Sequence, residues 1–211
     1  MLKFYYSTQT AATAARIALE EAAISYEGIE ISWRRNLNVE KLAAVNPLGQ
    51  VPVVQADFGV LTQVHAIIEY AADHGGERGL LPAAGTPARD QARAWLSFIA
   101  SDFQKGFLPI AFAERWTQNT EAQNEIRRAA KEGVDKHLAY INQALAGKSF
   151  VLGNDYSLVD AYLFVILGWC KWSGVGLSAH ANIAPYLRRV YERPAVQKVL
   201  KDEDLLDFFP A

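Results

Sequence analysis

At 211 residues with 51% hydrophobic side chains, the chain can bury a substantial core in one large domain or two modest ones, which argues against disorder. Its formal net charge of −2 leaves no basic footprint for nucleic acid. No apolar run reaches the roughly 18 residues of a membrane span, since the longest candidate, Leu158 to Trp172, is interrupted by Asp160 and Lys171.

The start, Met1-Leu2-Lys3-Phe4, lacks the apolar stretch and small-residue cleavage site of a signal peptide. The single Cys170 can form no internal disulfide, so a cytoplasmic protein is expected. Leu2 to Tyr6 is a β-rich run. Ala11 to Ala23 is Ala-rich, carries Ile17 and Leu19, and reads as a helix. Tyr26 to Trp33 alternates in part, with Ile29, Ile31 and Trp33 on one face of a second strand. Asn38 to Val45 reads as a short helix capped by Asn38.

The most informative stretch is Asn46-Pro47-Leu48-Gly49-Gln50-Val51-Pro52-Val53-Val54. A turn signal runs into a β-branched strand whose second residue is proline, which removes a ladder donor. Such a proline points to a special peptide geometry, a cis Val51–Pro52 bond being one form of it. The backbone of Val51 is then exposed instead of paired, and can receive a peptide-like ligand as a sheet edge would. Val51 to Gln55 and Phe58 to Leu61 flank Ala56-Asp57 and read as a hairpin. Thr62 is expected to cap a helix through His65, Ile67, Ile68 and Tyr70 to about His74. The order is β-α-β-α-β-β-α, with the first two strands parallel and the hairpin adding an antiparallel edge.

Gly75 to Pro87 carries the glycines and prolines of a linker. Beyond it the pattern predicts helices at 88–107, 121–146, 158–172, 183–192 and 195–202, the first ended or kinked by Pro109. Ser157-Leu158-Val159-Asp160 is a capping-box variant opening an apolar helix. The fold class is α/β plus all-α, divided as 1–78, a linker at 79–87 and a helical domain at 88–211, with a cleft between the domains as the default ligand site.

This order, with Asn-Pro-x-Gly-Gln-Val-Pro after the second helix, resembles the glutathione transferase family. The resemblance extends through Leu61-Thr62, Trp95-Leu96-Ser97-Phe98-Ile99-Ala100, Lys105-Gly106-Phe107, Ser157 to Phe164 and Arg193-Pro194-Ala195-Val196-Gln197. It is nearest to the bacterial beta class. It implies a thioredoxin-like N-terminal domain, a helical C-terminal domain, glutathione as a substrate bound in the cleft beside a small hydrophobic electrophile, and a homodimer. The net charge and the lack of a long apolar run already argue against a nucleic-acid or membrane partner, and the four scattered histidines and one cysteine show no metal spacing, so no metal is expected. The main-chain clamp at Gln50, Val51 and Pro52 matches the family's glutathione site.

Several positions depart from that pattern. Where beta-class relatives carry a cysteine followed by serine, the matching residues are Ala11 and Ala12. The candidate thiol donors are then Tyr6, Thr8 and Thr10. Tyr6 is either that donor or a half-buried strand residue. One of the threonines either donates or caps the first helix. The acid and serine that hold the γ-glutamyl end are replaced by Gln63 and Val64, leaving the helix dipole and main-chain donors. His65 either faces the pocket or packs on its helix. Gln104-Lys105 stands where relatives have His-Lys, so Gln104 keeps hydrogen bonding without a base near pH 7. Lys105 either pairs with a ligand carboxylate or lies on a solvated helix face. Ser97 and Ser101 share a helical face and match positions that approach glutathione, while Arg34 and Arg35 either attract its glycyl carboxylate or lie in a solvated loop. Phe107 to Trp116 can wall an electrophile pocket, and Cys170 reads as inert packing. Two outcomes follow: glutathione chemistry on an altered site, or, as the alternative, a non-catalytic binding or interaction protein with weak or no glutathione affinity.

Overall fold

Alternation in Leu2–Tyr6 sends Leu2, Phe4 and Tyr6 to one face of a strand and Lys3 and Tyr5 to the other. In the computed structural model, which describes residues 1–207, this segment is β1, and Phe4 is fully buried. It lies inside a four-stranded sheet ordered β2-β1-β3-β4. β2 (Tyr26–Glu30) runs parallel to β1, while β3 (Val53–Ala56) runs antiparallel to it and forms a hairpin with the edge strand β4 (Gly59–Thr62).

One sheet face is covered by α1 (Ala12–Glu21) and α3 (Val64–His74). α1 is buried from Ala12 through Leu19 without interruption. Its alanines let the sheet, α3 and the later helices α8 (Leu158–Ser173) and α10 (Pro194–Asp202) approach it from different sides. Gly75 sits where the chain leaves α3 against the end of α1, and a Cβ there would lie 2.9 Å from both the Ala22 Cβ and the Ala71 carbonyl oxygen. The opposite sheet face is smaller: Leu42 of α2 (Val39–Val45) packs with Tyr5, Ile31 and Val53.

Three expected boundaries shift. β2 ends at Glu30, because an isolated bridge between Ser32 and Leu37 closes a turn and leaves Trp33 48% exposed. Asn38 precedes α2 but does not cap it; at φ 54° its Nδ2 donates instead to the Glu30 carbonyl oxygen at 2.9 Å. Thr62 ends β4, and Gln63 occupies the position before α3.

The remainder is helical. Thr86 Oγ1 accepts the Arg89 N–H at 3.2 Å and Pro87 opens α4 (Pro87–Phe98). The helix continues through a π turn at Ile99–Phe103 into α5 (Gln104–Gly106). Pro109 lies in the first turn of a short α6 (Leu108–Ala111), so it belongs to a new helix and does not terminate the long one. α7 (Thr120–Ala144) is capped by Asn119 Oδ1, which accepts the Ala122 N–H at 2.9 Å. α8 is buried on nearly all sides, and α9 (Ile183–Tyr191) and α10 close the bundle. No helix among the described residues is long and apolar enough to cross a membrane.

Charged clamps join these parts. Arg89, 2% exposed, donates to Glu69 at 3.2 Å, to Asp73 at 2.9 Å and to the Pro82 carbonyl oxygen at 2.9 Å, fastening α3 to α4. Arg16 and Thr13 of α1 donate to the buried Glu203 at 3.3 and 2.8 Å. Each such group satisfies charges that would otherwise be costly to bury.

The Asp160 carboxylate, wholly buried, holds the start of α8. It accepts from the Ser157 N–H and hydroxyl and from the Val151 N–H, each at 2.9 Å, and from the Tyr186 hydroxyl at 3.2 Å. Burial outweighs these four donors and pushes its pKa up to about 6. The folded state therefore keeps the proton that the unfolded chain releases near pH 3.9. The resulting stabilisation is complete below about pH 4 and is lost as pH rises through about 6, a change of about 3 kcal/mol at ~1.4 kcal/mol per unit. Urea unfolding of wild type and Asp160→Asn at several pH values should show the wild-type advantage shrinking by about that amount between about pH 4 and 7; an advantage that grows with pH would contradict it.

Candidate functional site

Strand register decides which loops meet. Tyr6 pairs with Glu30, Tyr5 with Val53, and Val53 with Thr62. The loop after β1, the turn after β2, the entry to β3 and the exit from β4 therefore emerge together at one end of the sheet.

The entry to β3 is held by Asn46, a buried side chain whose Oδ1 accepts the Leu48 N–H at 3.2 Å and whose Nδ2 donates to the Gln50 carbonyl oxygen at 2.8 Å. Gly49 turns the chain at φ 62°. The Val51–Pro52 bond is cis. Pro52 is buried, the Gln50 side chain is exposed, and half-buried Val51 lies outside the ladder, which begins at Val53.

At the exit from β4, Gln63 has φ 74° and ψ 128°. A residue with a Cβ held there stores about 1–3 kcal/mol of strain, and such outliers gather at ligand-binding positions. Gln63 points to solvent, whereas Val64 is buried in the core. The first turn of α3 consequently offers main-chain N–H groups ahead of the Ile67 N–H, which is bonded to the Gln63 carbonyl oxygen at 3.1 Å. His65 lies with its Nε2 3.7 Å from Glu69 Oε2, and burial lowers its pKa. It packs along its own helix.

In the first loop, Thr10 Oγ1 donates to the Ser7 carbonyl oxygen at 2.7 Å and accepts the Ala12 N–H at 3.2 Å. It holds the start of α1. Among the described residues the half-buried Thr8 hydroxyl has no partner, and neither does the Ala11 N–H. Tyr6 is placed elsewhere. By strand parity its ring lies on the α1 face, stacked 5.8 Å from Phe4 with the Arg16 guanidinium 4.7 Å from its centroid. It lines a separate cavity of about 620 Å³ with Arg16, Glu20, Tyr26 and Lys198, and burial raises its pKa.

The cleft between sheet and helices holds a cavity of about 430 Å³. Gln9, Thr10 and Arg34 contribute from the sheet side. Phe107, Phe112, Trp169 and Trp172 supply the helical wall. The Phe107 ring stands edge-on to Trp169 at 5.8 Å, and Trp172 lies 6.0 Å from Phe107 and 6.1 Å from Trp169. The tryptophans had a sequence signal that the apolar reading of α8 obscured: they are three residues apart, and so share one helical face.

Other expected site residues lie outside this cavity. Arg35 is ion-paired with Glu30. Ser101, in the π turn, bonds the Ser97 carbonyl oxygen at 2.8 Å and the Asp102 carboxylate. Gln104 Oε1 accepts from the buried Tyr162 hydroxyl. Lys105 is exposed, with no ion partner among the described residues. Cys170 is 2% exposed, and burial pushes its thiol up to about 12.

Comparison with known proteins gives a consistent result. Residues 2–73 match the glutathione S-transferase N-terminal domain, and residues 123–193 match the C-terminal domain of the same family. The chain is 31% identical over 207 residues to glutathione S-transferase GstA of Escherichia coli O157:H7, covering 97% of this chain and 100% of that protein. A sphingomonad glutathione S-transferase complexed with glutathione superposes with a TM-score of 0.85 at 34% identity, covering 96% of this chain and 99% of that one. The bacterial beta class enzyme of Sphingomonas chungbukensis gives 0.86 at 33% identity, covering 97% and 100%.

The backbone at Gln63 yields a test of its own. Gln63→Gly removes the Cβ from a conformation that only glycine adopts freely. Its chemical denaturation should show unchanged or up to about 1 kcal/mol greater stability, where glycine in an ordinary helix interior costs about 1 kcal/mol. A loss of that size at Gln63 would show the backbone to be unstrained.

Proposed function

Because this chain belongs to the glutathione S-transferase family, we propose that it binds glutathione across the shared end of the sheet and directs the thiolate at a small hydrophobic electrophile held in the aromatic cavity. The observation that carries this reading is the convergence of three main-chain elements at one end of the sheet: Val51 outside the ladder, the first turn of α3, and the start of α1, where Thr10 also lines the cavity.

Val51 pairs the cysteinyl backbone of glutathione as a sheet edge would, with Gln50 and Pro52 fixing the approach. The first turn of α3 receives the γ-glutamyl carboxylate, and the Gln63 amide oxygen accepts from the ammonium. Val64 contributes its N–H alone. Lys105 and Arg35 are the cations offered to the glycyl carboxylate, Arg35 by leaving Glu30. Ser101 and Gln104 border the same ligand from the helical side. Residues 1–78 form the glutathione-binding part, joined through 79–87 to a helical part, 88–211, that supplies the electrophile cavity and the contacts of a homodimer. A cytoplasmic setting suits the substrate.

A free thiol with a pKa near ~8.5 is mostly protonated at neutral pH. Thiolate is favoured here by the Ala11 N–H at the positive end of α1, which has no partner among the described residues. One such donor and the helix end together supply about 1–2 kcal/mol, or roughly one unit of pKa. The Thr8 hydroxyl is free to add a bond. The Thr10 hydroxyl serves this chemistry indirectly, by fixing the loop that presents Ala11. The thiolate then attacks the electrophile, and the cavity excludes water from the new bond.

Titration calorimetry of the folded protein with millimolar glutathione should give binding heat. Absence of heat would overturn the proposal in favour of a non-catalytic binding or interaction protein. In a conjugation assay Tyr6→Phe should keep the wild-type rate, and Thr10→Ala should lose less than about tenfold, the cost of a helix cap being about 1 kcal/mol. A hundredfold loss in either variant would reassign the thiol donor to that hydroxyl.

A further inference from the structure

We infer, as a deepening that rests on the reading above, that the electrophile is a flat aromatic compound bearing a carboxylate, and that Arg34 determines this specificity. The cavity has two unlike parts. Trp172 and Phe112 remain 43% and 37% exposed while lining it, so an apolar planar surface is left for a ligand to cover. Phe107, Trp169 and Trp172 meet at angles of 51° to 89°. That arrangement offers both faces and edges to an inserted ring.

The second part is charge. Arg34 lines the cavity and, among the described residues, has no ion partner. Its neighbour Arg35 is tied to Glu30. Among the described residues no carboxylate lines the cavity, and Glu114 is paired with Arg127 at 3.8 Å. A further cation, Arg115, lies 4.0 Å from the Phe112 ring centroid. Arg34 is exposed, so a neutral apolar ligand would leave its guanidinium to water and gain nothing from it. A carboxylate would meet its guanidinium fork with two charge-assisted bonds, while the ring rests on the aromatic wall.

A suitable probe is 4-chloro-3-nitrobenzoate, compared with the corresponding benzamide. In either case the thiolate sulfur forms a C–S bond at the chlorine-bearing carbon. Chloride leaves with the C–Cl electron pair, the thiol proton passes to solvent, and nothing is oxidised or reduced. Each enzymatic kcat/KM is divided by the uncatalysed rate with glutathione, which removes the difference in ring activation. Wild type should favour the acid by about tenfold, in keeping with one exposed charge-assisted contact. Arg34→Gln should bring the ratio near one and leave the KM for glutathione unchanged.

Equal use of acid and amide by wild type would overturn the inference. So would an Arg34→Gln variant whose KM for glutathione rises equally with both electrophiles, because that result assigns Arg34 to the glycyl carboxylate. Quenching of tryptophan fluorescence by each compound without glutathione supplies an independent reading. Tighter binding of the acid, lost in Arg34→Gln, supports the inference, and indistinguishable binding overturns it. This arm still decides the matter if neither compound is conjugated, an outcome that would remove the proposed activity alone.

Discussion

The burial of α1 on every side is the constraint from which the rest of the structure follows. A helix pressed by a sheet, α3, α8 and α10 at once has room only for small side chains along most of its length, and Ala12, Ala14, Ala15 and Ala18 meet that demand. Ile17 and Leu19 fill the deeper spaces. Because the same helix belongs to the core beneath the sheet and to the helical bundle, the two parts cannot move independently around it. Its first residues consequently hold a fixed position relative to Phe107 and Trp169 across the cleft.

Polar groups preserve that arrangement where apolar packing alone would allow sliding. Arg89 between α3 and α4, and Glu203 between α1 and α10, are directional contacts placed at helix crossings. Removing one partner would leave a charge buried without compensation, an effect of about 3–5 kcal/mol. Asp160 does the same for the start of α8, whose length carries both cavity tryptophans. The position of the aromatic wall thus depends on a carboxylate at the other end of the same helix.

Much of this was legible in the residues, and the exceptions share a physical cause. The β-rich run at Leu2–Tyr6, the turn chemistry of Asn46 to Pro52 and the capping signal at Ser157 are local, and local geometry answered them. Tyr6 and Val64 were harder. Whether a side chain at a strand end or helix start faces ligand or core depends on parity against the whole sheet, and one position of difference reverses the answer. Trp169 and Trp172 were hidden for another reason. In a helix buried nearly all round, the apolar residues on every side mask the one face that the three-residue spacing of the tryptophans marks. Arg34 and Arg35 look alike in sequence, and only the ion pair of Arg35 with Glu30 separates them.

The state of the one cysteine has a consequence for durability. Cys170 is 2% exposed within α8, and burial holds its thiol well above the neutral range. A protein working among alkylating compounds would otherwise be exposed to modification at its own sulfur. On the proposed reading, the thiol that meets an electrophile would be the one a diffusible peptide carries in, and Cys170 would take no part. Chemical wear would then fall on a replaceable reagent and not on the one thiol of the polypeptide.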